Sequence, residues 1–481
     1  MKSALQPALQ RWFPFLQDKA YLEALQSIAI PIILQQAISS VLNAVDVLML
    51  GQLGEVSVAA VGLANQLGFL MMFVLFGTTS GAAAFISQYW GKRDIPSIRR
   101  VFGIGLSICL LASLTFLLFV QISPATALHI YTSDSQVIDT GIPYLRLISL
   151  TYPLIAVSFC YGMVHRSTGW VRLPTTTGII AILIKSGLSF VLIFGLLGFP
   201  RLGVLGAAIA TLIARGLETL ILILFTYWKR LPAAASLKEM YDFNFSYLKA
   251  VLAVAFPVIL NESLWALGIS TYNAIYARIG TQSIAAYNIA STIEGMAFVL
   301  FIGVTDATAI MIGNRLGAGE RETAFRYAGW SLRLNLIGGF LVGGLIILAS
   351  FFIPALYNIS PEAKLYARNL LLIMGACVWI RTSNMVLVVG ILRSGGDTRV
   401  GALLDVGTLW VIGVPSALLA AFVFKMEIYW VYLLVMSEEL VKLFIGYWRY
   451  RSRRWMHDLT IIQKEPRPPL IPAEEILNEA E

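Results

Sequence analysis

The sequence predicts an all-α membrane protein with twelve transmembrane helices, arranged as two parallel six-helix lobes around a central cleft. Three observations predict it: a strongly apolar composition, long apolar runs and an internal repeat. Hydrophobic residues make up 58% of the 481 residues and charged residues only 13%, whereas soluble domains are about 45–50% apolar and about 25% charged. A soluble protein of this composition would lack the polar surface that keeps it dispersed.

Apolar runs recur along the chain at the length that a bilayer requires. About 20 apolar residues in a helix cross the roughly 30 Å hydrocarbon core, and six such spans are predicted in each lobe. The spans of the first lobe are 24–50, 57–85, 101–122, 140–164, 173–198 and 204–228. The spans of the second lobe are 248–277, 283–312, 327–353, 364–392, 400–424 and 427–448.

These spans divide the chain into five predicted segments. They are a cytoplasmic N-terminal segment at 1–23, an N-lobe at 24–228, a cytoplasmic connector at 229–247, a C-lobe at 248–448 and a cytoplasmic tail at 449–481. The tail is polar, contains prolines and ends in acidic residues, so we expect it to be mobile.

The distribution of basic residues predicts the orientation in the membrane. Connectors on one side hold most of the loop Lys and Arg, such as Lys92, Arg100 and Arg393, whereas the opposite connectors hold few, such as Arg201. Basic loops face the cytoplasm, so both termini are predicted to be cytoplasmic, in the plasma (bacterial inner) membrane. The net charge of +8 mostly reflects this topology, and we expect no nucleic-acid partner.

The two lobes are predicted to be copies of one six-helix unit. The segment PIIL at 31–34 matches PVIL at 257–260, and the same spacing along the chain relates Gly77 to Gly303. Six is an even number, so the second copy enters the membrane from the same side as the first. Parallel repeats are related by an axis along the membrane normal, a geometry typical of two lobes around a cleft that opens alternately to either side.

Further matches extend the repeat with small shifts in register. Arg166 matches Arg393, shifted by a single position, and Glu218 matches Glu438 near the end of the two copies, where the spacing is slightly shorter. Apolar composition alone would not place arginine, glycine and proline at nearly constant spacing. We therefore interpret the pattern as an internal duplication.

Ionisable residues inside the predicted spans are candidates for function, because each costs about 2.5–3.5 kcal/mol at the bilayer centre. Asp46 lies in the first span with no basic residue within two turns of it. We predict that it exchanges a proton or a cation; a structural salt bridge is the alternative. Lys185, in the fifth span, is expected to pair with Asp46 or Glu218, to reach the membrane surface, or to act as a fixed internal cation.

Two glutamates are the corresponding candidates in the C-lobe. Glu262 and Glu294 lie near the middle of the seventh and eighth spans, which form a hairpin, so their carboxylates could approach each other. Burial and like charge both raise the pKa of a carboxylate, so we predict that these residues load and release protons. The alternative is a protonated side chain that hydrogen-bonds between helices.

Other polar residues are predicted to form structural ion pairs or to line the cleft. The expected pairs combine residues at similar depth on neighbouring spans or one turn apart on a single helix. They are Arg381 with Asp405, Glu438 with Lys442, and Arg215 with Glu218. The predicted cleft residues are Asn43, Asn261, Tyr272, Ser189 and Thr211.

Four stretches of the chain are specific in sequence: VDVLMLG at 45–51, LIFG at 192–195 with GVLGAAIAT at 203–211, GNRLGAG at 313–319 and GILRSGGDT at 390–398. Together these motifs resemble those of the multidrug and toxic compound extrusion (MATE) family. The resemblance covers almost the whole chain, from about residue 24 to about residue 450. It implies the same two lobes of six helices, and export of cationic or amphipathic organic compounds in exchange for protons or sodium ions.

The resemblance also implies roles for individual residues. Asp46 matches the acidic residue that many members use for coupling. The family often carries an asparagine and an acidic or amide residue on the fifth helix, where this chain has Lys185 and Ser189. This departure argues against a sodium ion at Asp46 and favours protons. Thr211 matches a sixth-helix position that is sometimes linked to that site. Glu262 resembles the seventh-helix glutamate of the family, displaced by about one turn. With Lys185 beside Asp46, the resemblance suggests that coupling has moved to the C-lobe.

The residues and the resemblance together predict a monomeric secondary antiporter for small organic compounds. The coupling ion is expected to be a proton, with sodium as the alternative, and no cofactor is expected. A flippase for lipids or lipid-linked precursors, from a related superfamily, is the alternative function. The chain has no G-x-x-x-x-G-K-[ST] loop for ATP and no H-E-x-x-H or G-x-S-x-G motif, so neither an ATP-driven pump nor a membrane enzyme is supported.

Overall fold

The computed structural model describes residues 14–462, and within this range the chain folds into helices with no strand. The helices of the first repeat are α1 (Lys19–Gly51), α2 (Glu55–Gly91), α3 (Ile95–Ile122), α4 (Ser135–Ser167), α5 (Arg172–Phe194) and α6 (Val204–Trp228). Those of the second repeat are α7 (Phe245–Ile279), α8 (Thr281–Gly317), α9 (Arg321–Ala349), α10 (Pro361–Arg393), α11 (Thr398–Val423) and α12 (Ile428–Arg451).

The predicted helical membrane fold is confirmed. Among the described residues, α1 to α11 are long and apolar enough to cross a membrane. The last helix, α12, has 24 residues and carries Glu438, Glu439 and Lys442 near its middle. These three charges lower its apolar character, and the structure buries two of them, Glu438 and Lys442.

Local sequence explains several helix ends. Asp94 caps α3, because its side chain accepts a hydrogen bond from the backbone nitrogen of Ser97 at 3.1 Å. Ser360 caps α10 in the same way, from the nitrogen of Ala363 at 3.2 Å. Gly195 ends α5 in the left-handed conformation, with φ of 71°, which glycine adopts without steric cost.

The chain divides into two compact units. The first unit is Leu34–Ile259, and the second combines the chain up to Ile33 with Leu260–Ile461. Both divisions fall within a helix, α1 or α7, and they fall at equivalent positions, since the repeat aligns Ile33 with Ile259. The predicted lobe boundaries fall between helices instead.

Glycines allow close helix contacts at equivalent positions of the two repeats. In the first unit, a Cβ atom on Gly77 would lie 2.6 Å from the Cα atom of Ile259. In the second unit, a Cβ atom on Gly303 would lie 2.9 Å from the carbonyl oxygen of Ala29. Real Cβ atoms do not approach backbone this closely, so both positions require glycine.

Two buried tyrosines also occupy equivalent positions, since the register that aligns PIIL with PVIL also aligns Tyr21 with Tyr247. In the first unit, the hydroxyl of Tyr247 donates to that of Tyr89 at 3.3 Å. In the second unit, the hydroxyls of Tyr21 and Ser331 are 3.0 Å apart. The first turns of α1 and α7 are therefore each held by a buried polar contact.

The connector at 229–247 is ordered. Its short helix Leu237–Met240 begins with a capping box formed by Ser236 and Glu239. Arg99 on α3 pairs with Glu239 at 2.5 Å, and the neighbouring Arg100 pairs with Asp242 at 2.8 Å. These ion pairs attach the connector to α3.

The prediction of a mobile tail from residue 449 is wrong for residues 449–462. Helix α12 continues to Arg451, and the fully buried indole of Trp455 donates to the carbonyl of Tyr450 at 3.0 Å. The backbone nitrogen of His457 donates to the carbonyl of Gly395 at 2.9 Å. The rest of the predicted tail, and residues 1–13 of the predicted N-terminal segment, lie outside the described residues.

Helices α10 and α11 contain π-helical turns. The segment Val386–Arg393 ends α10, and the segments Leu409–Gly413 and Leu419–Val423 lie within α11. Pro415, between the two segments of α11, has no N–H to donate, so the regular hydrogen-bond pattern is interrupted there. π-helical turns within α-helices often occur at functional sites.

Candidate functional site

An ion pair between α1 and α5 occupies the predicted coupling position of the first unit. A carboxylate oxygen of Asp46 lies 2.5 Å from the ammonium nitrogen of Lys185. The hydroxyl of Ser186 donates to the other carboxylate oxygen at 3.5 Å. The side chains of Asp46 and Lys185 are 13% and 24% exposed. Of the partners considered for Lys185, the structure therefore selects Asp46.

A second ion pair in the first unit lies on α6. Arg215 and Glu218 pair at 2.7 Å with the i, i+3 spacing, as predicted. The hydroxyl of Thr211, one turn earlier, donates to the carbonyl of Ala207 at 2.8 Å. The two positive and two negative charges of these two pairs therefore balance within the first unit.

The remaining predicted residues of the first unit differ in exposure. Ser189 on α5 is buried, and its hydroxyl has no hydrogen-bond partner among the described residues. Asn43 is exposed, one turn before Asp46 on α1. Neither observation assigns these two residues to a substrate site, and their role stays a prediction.

In the second unit, each candidate glutamate has its own guanidinium. Glu294 on α8 pairs with Arg381 on α10, whose guanidinium also donates to the hydroxyl of Tyr432 at 3.3 Å. Glu262 on α7 pairs with Arg393, at the end of the π-helical segment of α10, at 2.8 Å. Glu262 and Glu294 thus form separate ion pairs, and the expected pair between Arg381 and Asp405 is not the one observed.

Asp405 instead belongs to a network around Lys442. The ammonium of Lys442 lies 2.8 Å from Asp405 and 3.5 Å from Glu439, and the lysine is 3% exposed. The side-chain amide of Asn261 donates to Asp405 at 3.2 Å. The amide of Asn384 donates to Glu439 at 2.6 Å. Lys442 therefore pairs with Asp405 and Glu439, not with Glu438 as the i, i+4 spacing suggested.

Glu438 has a different environment from the other buried carboxylates. It is 4% exposed and accepts a hydrogen bond from the hydroxyl of Tyr272 at 3.1 Å. Within residues 14–462, it forms no ion pair. A Cβ atom on Gly413 would lie 2.8 Å from the carboxyl carbon of Glu438 and would overlap the Tyr272 hydroxyl, so the contact requires glycine on α11.

A series of tyrosines packs near these groups in the second unit. The rings of Tyr272 and Tyr276 are stacked, with centroids 6.2 Å apart. Tyr276 approaches Tyr287 at 4.7 Å, and Tyr287 approaches Tyr432 at 6.4 Å. Tyr287 and Tyr432 were not predicted from the sequence, because nothing local distinguishes them from the other membrane tyrosines.

The carboxylates do not cluster in the way that metal binding requires. In the described part of the chain, no three or more His, Cys, Asp and Glu residues group together to hold a metal ion. At Asp46, where sodium was the alternative to a proton, the Lys185 ammonium occupies the position beside the carboxylate. A cation there repels a metal ion, so this donor set does not suit sodium.

Two copies of an apolar six-helix unit, each with ion pairs buried among its helices, define a multi-pass membrane protein that arose by duplication. The chain belongs to the MatE family: the family model matches it twice, at residues 31–191 and 257–419. The two matches coincide with the two copies of the repeat. Members of this family are transporters, not enzymes.

Individual relatives cover most of the chain at low identity. The uncharacterized transporter YisQ of Bacillus subtilis is 24% identical over 439 residues, which cover 91% of this chain and 96% of YisQ. The probable multidrug resistance protein NorM of Bradyrhizobium diazoefficiens is 27% identical over 406 residues, which cover 82% and 85%. The structure of a variant of the Vibrio cholerae MATE transporter VcmN superposes with a TM-score of 0.82 at 20% identity, covering 92% and 98%. That similarity shows a shared fold.

Proposed function

We propose that this MATE-family transporter is a secondary antiporter that exports small organic compounds, cationic or amphipathic, in exchange for protons. The observation that carries the proposal is an excess of negative charge among the buried and half-buried side chains on the helices of the second unit. Its interior carboxylates outnumber its interior cations. The carboxylates are Glu262, Glu294, Asp405, Glu438 and Glu439, and the cations are Arg381, Arg393 and Lys442.

This excess suits exchange of a cation for protons. Buried charge without compensation is costly, so the second unit gains by binding either protons or a positively charged compound. When one type of cation enters, the other can leave, which is the chemical basis of antiport. The first unit has no such excess, since Asp46 pairs with Lys185 and Glu218 pairs with Arg215.

The aromatic residues support an organic substrate. The faces of aromatic rings attract organic cations, and the second unit places Tyr272, Tyr276 and Tyr287 close to its buried carboxylates. The name of the relative NorM, a probable multidrug resistance protein, agrees with this substrate class. Transport by alternating access would follow from the two parallel repeats.

The proton motive force can drive this exchange. Each net elementary charge that crosses 100 mV releases about 2.3 kcal/mol, which sustains a substrate gradient of roughly fiftyfold. Exchange of one proton for a neutral amphipathic compound, or of two protons for a monovalent cation, gains this electrical energy, whereas one-for-one exchange with a monovalent cation is electroneutral and is driven by the pH gradient alone. The positive-inside bias supports an orientation with both termini in the cytoplasm, in the plasma membrane of a bacterium. We propose that the monomer is the transporting unit, because each of its two repeats contains its own set of buried charges.

Ethidium transport in proteoliposomes tests the proposal. Purified full-length protein is exposed separately to a pH gradient and to a sodium gradient. We expect the pH gradient to drive ethidium in the direction opposite to the flow of protons, and an uncoupler to abolish this transport. Transport driven by the sodium gradient alone would exclude the proton as the coupling ion. Scrambling of a fluorescent lipid without ethidium transport would favour the flippase instead.

A paired variant tests whether coupling depends on the first unit. Asp46→Asn combined with Lys185→Gln removes the ion pair without leaving a lone charge. We expect this double variant to retain proton-driven ethidium transport, because the first unit has no excess of carboxylates. Loss of proton-driven transport in the double variant would place coupling in the first unit and contradict this part of the proposal.

A further inference from the structure

The repeat relates the unusual site at Glu438 to the ion-paired site at Asp46. The register that aligns PIIL with PVIL places Tyr272 at the position of Asp46, and the register that aligns Arg166 with Arg393 places Gly413 at the position of Ser186. The structure supports both matches. Ser186 contacts Asp46 across α5 and α1, and Gly413 lies directly against Tyr272 across α11 and α7.

The third member of each site is a glutamate on the last helix of the repeat. The final stretch of the repeat aligns Glu218 on α6 with Glu438 on α12. Glu218 has Arg215 one turn earlier as its partner, at 2.7 Å. The residue at the position of Arg215 is Val435, which is buried. Glu438 therefore lacks the guanidinium that neutralises its counterpart.

The other cation of the first site is also missing from the second. The register that aligns Ser186 with Gly413 places Ile412 at the position of Lys185. The second site thus keeps one carboxylate, replaces the other by the Tyr272 hydroxyl, and replaces both cations by aliphatic side chains. Its only polar contact within the described residues is the hydrogen bond from Tyr272 to Glu438.

The charged groups nearest to Glu438 are occupied by other partners. Lys442 lies one turn later on α12, but its ammonium contacts the carboxylates of Asp405 and Glu439. The other charged groups that act on Glu438 are the carboxylates of Glu439 and Asp405, which carry the same charge. The single charge of Lys442 is therefore shared between two carboxylates in direct contact and Glu438 at longer range.

A carboxylate in this environment suits a proton better than a larger ion. As an anion, Glu438 accepts a hydrogen bond from a single neutral donor, so burying its charge is costly. Gly413 lies so close to the carboxylate that even a Cβ atom there would overlap both the Glu438 carboxylate and the Tyr272 hydroxyl. A proton needs only an oxygen lone pair, whereas a metal ion needs several oxygen ligands and room for them.

We propose that Glu438 is the residue of the second unit that carries the coupling proton, and that Tyr272 and Gly413 position its carboxylate. This inference rests on the proposed function. A proton from water forms an O–H bond with the Glu438 carboxylate when the site opens to one side of the membrane. The same O–H bond breaks and the proton returns to water when the site opens to the other side and the organic cation binds.

The repeat provides a matched control for the test. Glu438→Gln removes the titratable group and keeps the side-chain shape, and Glu218→Gln makes the same change at the equivalent position of α6. Two measurements are made on reconstituted protein with ethidium as the probe. The first is transport driven by a pH gradient, and the second is exchange of labelled for unlabelled ethidium without any ion gradient.

We expect Glu438→Gln to lose proton-driven transport but to retain ethidium exchange, and Glu218→Gln to retain both. If Glu438→Gln kept the proton dependence of the unchanged protein, the assignment of the coupling proton to Glu438 would be rejected. The proposed function would still stand. Absence of proton-driven transport in the unchanged protein would reject the proposed function itself.

A conservative variant keeps the inference testable if Glu438→Gln does not fold. Glu438→Asp retains a carboxylate but withdraws it from the Tyr272 hydroxyl by one methylene group. We expect it to remain proton-coupled with a displaced pH profile of ethidium transport. A pH profile identical to that of the unchanged protein would show that the coupling proton binds elsewhere.

Discussion

The ammonium nitrogen of Lys185 lies 2.5 Å from the carboxylate of Asp46, and both side chains are largely buried between α1 and α5. Each group supplies the counter-charge that the other needs away from water. Removing one partner leaves a buried charge uncompensated, whereas removing both leaves none. The pair therefore stabilises the first unit.

We expect Lys185→Met alone to lower the stability of the protein more than Lys185→Met combined with Asp46→Asn. The single change leaves Asp46 unpaired, at a cost on the order of 1–3 kcal/mol, because both groups retain some exposure. Thermal unfolding of the detergent-solubilised protein, analysed as a double-mutant cycle, measures the coupling between the two residues. Additive effects of the two single changes would show that the pair contributes no stability.

The glycines that allow close helix contact should not tolerate alanine. Gly77→Ala places a Cβ atom 2.6 Å from the Cα atom of Ile259, and Gly303→Ala creates a similar overlap in the second unit. Each change is expected to lower the free energy of unfolding by about 1–3 kcal/mol, since overpacking forces the helices apart. Thermal unfolding measures the effect.

Two other helical glycines serve as controls for these variants. A Cβ atom on Gly62 of α2 or on Gly295 of α8 would meet nothing within 4 Å. Alanine at either position should leave stability unchanged or raise it by about 0.5–1 kcal/mol, because alanine favours helix. If Gly77→Ala matched Gly62→Ala in unfolding temperature, the close contact would not be a packing constraint.

Asp397, in the connector between α10 and α11, should make the attachment of residues 452–462 dependent on pH. Burial raises the pKa of the Asp397 carboxyl, but hydrogen bonds from His457 and Arg449 outweigh it and hold the pKa below its ordinary value. Arg449 contacts the carboxylate at 2.7 Å. A lowered carboxylate pKa contributes stability above the unfolded value of about 3.9, which is lost as the pH falls through the folded pKa.

Asp397→Asn is therefore expected to loosen residues 452–462 at neutral pH. Hydrogen exchange of the backbone around Trp455 and His457 should be faster in the variant at pH 7. The difference should disappear in acid, where the carboxylate of the unchanged protein is itself protonated. A difference that persisted unchanged in acid would show that the Asp397 charge does not hold the segment.

The sequence predicted the helices more accurately than the contacts between them. Apolar length and the repeat place every span close to its observed helix, because transmembrane length is a local property of the chain. The Arg215–Glu218 pair was also predicted, since i, i+3 partners lie on one face of a helix. The same reasoning failed for Glu438 and Lys442, because Lys442 pairs more closely with Asp405 of α11.

Partners on different helices depend on helix rotation and packing, which no local pattern specifies. Arg393 illustrates the difficulty: its place at the end of α10 identified it as a topology signal, yet it is 5% exposed and pairs with Glu262. The ordered segment at 452–462 was missed for a similar reason. Its polar composition suggested mobility, whereas Trp455 packs against Gly395 in a way that only the folded chain shows.

Lys442 should be the most sensitive single position in the charge network of the second unit. Its ammonium is the cation that lies beside both Asp405 and Glu439, and it is 3% exposed. Lys442→Met would leave two buried carboxylates without that cation. Breaking a buried ion pair from one side costs about 3–5 kcal/mol, so we expect a large fall in unfolding temperature and in the yield of folded protein.

A second change separates loss of charge balance from loss of packing. In Lys442→Met combined with Asp405→Asn, one of the two carboxylates becomes neutral, and Glu439 keeps its hydrogen bond from Asn384. The double variant should therefore recover part of the lost stability in the same unfolding measurement. If the double variant were no more stable than Lys442→Met, removing one carboxylate charge would have brought no gain. The lysine would then stabilise the protein through the packing of its aliphatic chain and not through its charge.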